Sequence, residues 1–177
     1  MKNYDFILAI DPSGSFYEGK GTTGWCIFNC RDNVVSVSDY ICAKTFGTME
    51  QYWDAQIQLI ARMHAKYKDK LIVVIEDYVL YAHKAKAQIN SHLETPKLIG
   101  VLQHYCWSKN IPYRMQLATE VKSRWRDHIL HYYKYLAKRG KSYVLPLKPK
   151  VKLLEHQRDA IRHAVHFAKF KNGRSKQ

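Results

Sequence analysis

The chain has 177 residues, 46% of them hydrophobic and 13% aromatic, which is enough to bury a full core and excludes disorder of the whole chain. Lysine and arginine total 29 against 15 carboxylates, a formal net charge of +14. For one folded domain, that imbalance points to a polyanionic partner, nucleic acid first, rather than to a charge that serves only solubility.

The first five-residue apolar run, Phe6 to Ile10, stops at Asp11-Pro12, as a central strand buried on both faces does, and delivers Asp11 to a sheet edge. No stretch approaches the roughly 18–20 apolar residues of a membrane span, and the N-terminus reaches a charge at once, so a soluble, unexported, cytoplasmic protein with no membrane partner is expected. A glycine-rich stretch over 13–24 leads to Trp25-Cys26-Ile27-Phe28. Alternation then follows over 34–42, with Val35, Val37 and Ile41 against Ser36, Ser38 and Tyr40, and the three segments together predict an antiparallel meander.

Thr48 and Gln51 form a capping box. Trp53, Ile57, Ile60, Met63 and Tyr67 recur behind it at helical spacing and predict a helix over 49–67. Residues 71–75, Leu-Ile-Val-Val-Ile, repeat the buried-strand signature and end at Glu76 as the first ended at Asp11. Leu98, Val101, Leu102 and Tyr105 mark another helix, and a short strand is expected over 111–115. Thr119 is expected to cap a helix that carries Val121, Trp125, Ile129, Tyr132 and Leu136. Pro146 with Lys148-Pro149-Lys150 reads as part of an exposed basic linker near 138–152. A last helix over about 153–171 and a frayed tail near 171–177 complete one domain. The order β-β-β-α-β-α-β-α-α is that of an α/β fold, a mixed five-stranded sheet with helices on both faces. Cys26, Cys30, Cys42 and Cys106 show no CxxC pair and no matching histidine spacing, so neither a zinc site nor a disulfide framework is indicated.

On the last helix, at 100° per residue, Glu155, His156, Asp159, His163 and His166 share one face, and Leu154, Ile161, Ala164, Val165 and Ala168 the other. A solvated face explains this pattern as well as a functional one does. Three carboxylates, Asp11, Glu76 and Asp159, nevertheless stand where an element can meet a cleft. Phosphodiester hydrolysis needs an activated water and a neutralised transition state, and two Mg²⁺ ions held by hard oxygen ligands supply both. His156, one turn before Asp159, is a fourth candidate as ligand or proton acceptor.

Ile-Leu-Ala-Ile-Asp11-Pro12, Gly24-Trp25, Val-Val-Ile-Glu76, Ala118-Thr119-Glu120-Val121-Lys122 and His156-Gln-Arg-Asp159-Ala160-Ile161 resemble the successive motifs of RuvC-type Holliday junction resolvases, in order and across nearly the whole chain. The resemblance implies a ribonuclease-H-like fold, a homodimer, two Mg²⁺ ions per site with Mn²⁺ able to substitute, and paired nicks across a four-way junction. It implies that Asp11 bridges the metals, that Glu76 and Asp159 each hold one side, that His156 stands where the family has Asp or His, and that Lys122 lies near the scissile phosphate. Two departures stand out: residues 13–23 form more than a tight glycine turn, and Ala118 replaces a frequent proline. The lysine-rich composition leans toward the bacteriophage-encoded branch, acting in the host cytoplasm.

Tyr78, Tyr81, Lys84 and Lys86, with His83, follow Glu76 without clear periodicity; an aromatic there can stack on bases opened at a branch, or simply pack. Lys138, Arg139, Lys141, Lys148 and Lys150 belong to a basic tract interleaved with tyrosines, suited to backbone phosphates. Branched DNA is thus the expected partner, with forks and flaps as the wider alternative to four-way junctions. A non-catalytic junction-binding protein keeps the charge but leaves the three carboxylates unexplained. A sugar-kinase-like phosphotransferase needs two such domains.

Overall fold

The structure is a computed structural model, and it describes residues 3–79 and 93–173. Its main sheet has the order β3-β2-β1-β4-β5, built from β1 (Phe6–Asp11), β2 (Thr22–Asn29), β3 (Val34–Cys42), β4 (Leu71–Asp77) and β5 (Tyr113–Leu117). β1, β2 and β3 form the expected antiparallel meander, while β4 lies parallel to β1 and β5 parallel to β4.

Helices cover both faces, and the alternation of the central strands shows why. Leu8 and Ile10 of β1, with Leu71, Val73 and Ile75 of β4, face α1 (Met49–Tyr67) and α2 (Glu94–Ser108), where Tyr52, Leu59, Ile60, Leu98 and Leu102 complete a wholly buried cluster. Ile7 and Ala9, with Ile72 and Val74, face the last helix through its Ala160, Ile161, Ala164 and Val165. Each leucine, isoleucine or valine among them taken fully from water contributes about 1.5–3 kcal/mol. The capping box of α1 is present as read, with Thr48 accepting from the Gln51 N–H.

Three expectations need correction. The single helix foreseen behind Thr119 is two short ones, α3 (Ala118–Lys122) and α4 (Asp127–Tyr132); Leu117 takes the cap position of α3, and the chain reverses at Lys134, whose φ is 63°. In place of a basic linker there is a second, three-stranded antiparallel sheet of β6 (Ala137–Arg139), β7 (Ser142–Leu145) and β8 (Lys148–Lys152). Its first turn is the two residues Gly140-Lys141, and the φ of 58° at Gly140 is a conformation glycine adopts without strain. Pro149 is tolerated because β8 is an edge strand that bulges between its bridges at Lys148 and Lys152. The last helix, α5, runs Glu155–Phe170, and the residues after it do not fray at once: Asn172 is buried, accepts from the Tyr4 N–H at 2.9 Å and donates to the Tyr4 carbonyl at 2.8 Å.

Of residues 13–23, the stretch longer than a tight turn, the part before β2 is tied down on the α1 and α2 side. Tyr52 donates to the Ser13 carbonyl at 2.7 Å, the Gly14 N–H to Thr95 Oγ1 at 2.9 Å, and the Phe16 N–H to the buried Glu94 carboxylate.

Candidate active site

Asp11 follows Ile7 and Ala9 on the α5 face of β1, and Glu76 follows Ile72 and Val74 on the same face of β4; Gln116 pairs with Glu76 from β5. A polar row therefore crosses three adjacent strands at their C-terminal ends. α5 is laid over this row because β2 makes room for it. Gly24, the partner of Asp11 across β1 and β2, lies so close to the first turn of α5 that a Cβ there would stand 2.1 Å from the His156 carbonyl carbon. Glycine at 24 thus decides how close His156 and Asp159 come to Asp11. Gln157 adds a cap at the same end, its Oε1 accepting from the Leu154 N–H at 2.8 Å.

The result is one cluster. Ligand oxygens of Asp11, Glu76 and Asp159 all lie within 4.8 Å of one another. His156 Nδ1 is 2.7 Å from Asp11 Oδ2, and Lys122 Nζ lies 3.0 Å from Glu76 Oε1 and 2.8 Å from Asp159 Oδ2. Burial pushes the Asp11 carboxyl up to about 6, helped by the Glu76 and Asp159 charges and opposed by the His156 bond. That bond to Asp11 in turn raises His156 against its own burial. Burial also works to raise Glu76, but the hydrogen bond and charge of His163, with the charge of Lys122, outweigh it and hold the group low. Lys122 loses hydration by burial yet is held well above its ordinary value by Glu76 and Asp159.

Three close carboxylates, two of them nearly inaccessible and two of them bridged by the Lys122 ammonium, are a donor set of hard oxygens that could hold a divalent metal ion. The structure thus brings together all five residues expected at the catalytic centre: Asp11, Glu76, Asp159, His156 and Lys122. Tyr78 is half-buried against the core on the α1 and α2 side, while Tyr81, Lys84 and Lys86 lie outside the described residues. Lys138, Arg139, Lys141, Lys148 and Lys150 are exposed on the second sheet, which leads through Leu153 into the first turn of α5.

Two neighbours were not read as site residues from the sequence. His163 is fully buried, its Nε2 2.9 Å from Glu76 Oε2 and its Nδ1 2.8 Å from Gln116 Oε1. Arg162 donates to Asp159 Oδ1, to Asp127 Oδ1 and, at 2.9 Å, to the Trp125 carbonyl. The spacing of His156, Asp159 and His163, three and four residues apart, was the available signal. Its reading as an open polar face fails because Asp159, His163 and His166 are all buried.

Solved structures share this architecture. A Thermus thermophilus RuvC described as in complex with a Holliday junction substrate superposes with a TM-score of 0.65 at 9% identity, covering 96% of this chain and 98% of its own. The fold is that of RuvC. A second Thermus thermophilus RuvC structure gives 0.59 at 9% identity, over 94% and 95% of the two chains, so the RuvC fold accounts for nearly all of the described elements. No protein-family model and no curated protein matches the sequence. Among the described residues no helix is long and apolar enough to cross a membrane.

Proposed function

We propose that this protein is a metal-dependent endonuclease that resolves four-way DNA junctions by paired nicks, working as a homodimer. The observation that carries the reading is the cluster of Asp11, Glu76 and Asp159 within 4.8 Å of one another at the strand ends of a RuvC fold. These three would hold Mg²⁺, or Mn²⁺ in its place, which would supply an activated water and neutralise charge on the reacting phosphate. The chain's own residues do the rest. His156 Nδ1, 2.7 Å from Asp11 Oδ2, is placed to take up the proton that Asp11 gives up before it can hold a metal, and Lys122 offers an ammonium beside the phosphate, where it matters most when negative charge grows in the transition state.

Charge supports the choice of DNA. Between Asp127 and Glu155 the sequence holds no carboxylate, while Lys134, Lys138, Arg139, Lys141, Lys148, Lys150 and Lys152 all fall there. Among the described residues none of the seven is paired to an acid, so their charge is available to backbone phosphates. Arg139 is partly engaged within the sheet, near the Pro149 and Lys150 carbonyls. A second copy of the chain suits the two-fold symmetry of a four-way junction, and one observation favours it: an apolar groove lined by Trp53, Ile57, Val101 and Tyr105 runs between α1 and α2, with Trp107 exposed nearby.

The test is incubation with a synthetic immobile four-way junction and Mg²⁺, beside a fork, a flap and a linear duplex of the same sequence. Paired symmetric nicks in the junction are expected. Equal cutting of fork and flap would widen the activity to debranching, cutting of linear duplex at the junction's rate would refute branch selectivity, and binding without cutting would leave a junction-binding protein.

A further inference from the structure

The two side carboxylates of the site each show one inner and one outer oxygen. Glu76 Oε1 and Asp159 Oδ2 turn inward and share the Lys122 ammonium at 3.0 and 2.8 Å. Glu76 Oε2 turns outward to His163 at 2.9 Å, and Asp159 Oδ1 turns outward to Arg162. The two outer partners are consecutive residues of α5, and neither belongs to the five residues already assigned to the centre.

Ordinary packing does not account for them. His163 is flanked along α5 by the wholly buried Ala160, Ile161, Ala164 and Val165, and an aliphatic side chain would fill such a position without desolvating two ring nitrogens. Both nitrogens are instead spent on the row of strand-end side chains, Glu76 on β4 and Gln116 on β5. A carboxylate oxygen can only accept, so Nε2 carries the hydrogen and Glu76 Oε2 is occupied; Nδ1 then accepts from the Gln116 amide, turned so that its otherwise unpartnered nitrogen faces the ring. Arg162 has one fixed fork and three anchors: its Nε on the Trp125 carbonyl and its two terminal nitrogens on Asp127 and Asp159. Asp127 is also approached by Arg158 Nε at 3.1 Å. A planar guanidinium held at two points has little freedom left at the third, so the orientation of Asp159 is dictated from the start of α4.

We propose that Arg162 and His163 are positioning residues that hold the outer oxygens of Asp159 and Glu76 and so present their inner oxygens to the metal. The proposal rests on reading the site as a metal-dependent nuclease. Groups that orient ligands from behind commonly change metal affinity by about 10–100-fold when removed.

The test is Mn²⁺ binding to the full chain without DNA, followed by electron paramagnetic resonance and calorimetry, with thermal melting of each metal-free variant. His163→Gln and His163→Asn form the decisive pair. The glutamine amide nitrogen falls near the original Nε2 and can still donate to Glu76, whereas the shorter asparagine reaches only toward Gln116. We expect His163→Asn to weaken Mn²⁺ binding about 10–100-fold and His163→Gln to restore most of it. Arg162→Lys, which keeps the charge but loses the fork, should weaken binding about tenfold or more. It decides the matter if the asparagine variant does not fold. Wild-type affinity in both His163→Asn and Arg162→Lys, whatever their melting temperatures, would make these residues mere staples and overturn the proposal. A wild-type chain that binds no Mn²⁺ at millimolar concentration would instead overturn the nuclease reading, and the proposal with it.

Discussion

The two faces of the main sheet are covered by different chemistry. Against α1 and α2 the buried residues are mostly aliphatic or aromatic; of the polar groups there, Tyr52 and Glu94 tie down residues 13–16, and Gln56 bonds back to the Tyr52 carbonyl within α1. Against α5 the same strands end in Asp11, Glu76 and Gln116, and the helix answers with His156, Asp159, Arg162 and His163. The first face is built for stability. The second buries charge that an aliphatic interface would spare, and such polar burial persists where its geometry serves a site.

The sharpest way to break this contrast is at the carboxylates. Asp11→Asn, Glu76→Gln and Asp159→Asn should each lower junction cleavage by at least ~10²–10³-fold. Junction binding should be unchanged or tighter, because each change removes a negative charge that faces phosphate. Cleavage assays beside gel-shift measurements separate the two; near wild-type cutting by any one variant would remove that residue from the site.

The opposite result is expected on the other face. Leu59→Ala or Ile60→Ala, both on the buried face of α1, should cost about 2–5 kcal/mol in denaturant unfolding while leaving metal affinity unchanged in the fraction that stays folded.

Lys122 offers a case where binding and chemistry move in opposite directions. Its ammonium lies between two ligand oxygens, so Lys122→Met should tighten Mn²⁺ binding in the absence of DNA by about tenfold or more, since a like charge within about 4 Å is gone. The same variant should cut more slowly, with single-turnover rate falling more than junction affinity. Looser Mn²⁺ binding would show that the lysine does not compete for that position.

The pH response follows from Asp11. Its carboxyl titrates at about 6, above its ordinary 3.8, so the folded chain holds this proton more tightly than the unfolded one. Stability of the metal-free protein attributable to this group therefore falls as pH rises from about 4 through 6, and the raised His156 continues the same trend upward. Glu76, held low, acts in the opposite sense: its contribution is present above its ordinary 4.5 and is lost as pH falls. Because the Asp11 proton must leave before the oxygen can ligate, Mn²⁺ affinity should rise by up to about tenfold per pH unit below about 6 and flatten above it, which calorimetry across buffers will show. A flat profile from about pH 5 to 7.5 would mean that Asp11 is not a ligand.

The smallest effect belongs to the second sheet. Changing Lys148, Lys150 and Lys152 together to alanine should leave cleavage at saturating DNA intact, while reducing the log–log salt slope of junction binding by about 0.9 for each phosphate that is no longer neutralised. An unchanged slope would assign these lysines to edge protection of β8 alone.

Much of the site is legible in the sequence. Asp11 and Glu76 stand at the ends of apolar runs, and a period of two in β1 and β4 is enough to put both on one face; Asp159 and His156 follow from helical spacing. The helix over 49–67 was readable to the residue because a capping box and an apolar stripe agree. By contrast, 118–152 misled: Val121, Trp125, Ile129 and Leu136 fit a helical period, yet the left-handed backbone at Lys134 and a Gly140 turn break it into two short helices and a sheet whose strands are stabilised by packing onto the α5 core. Sequence by itself therefore determined the buried strands, the three carboxylates and the basic surface, all of which depend on local periodicity and composition. Only the tertiary structure decided that Asp159, His163 and His166 of the polar face of α5 are buried, that Gly24 admits that helix against β2, and that Arg162 and His163 hold the outer oxygens of Asp159 and Glu76. Those outcomes depend on residues far apart in the chain, such as Arg162 and Trp125 at a separation of 37 or His163 and Glu76 at 87, and local pattern carries no signal over such distances.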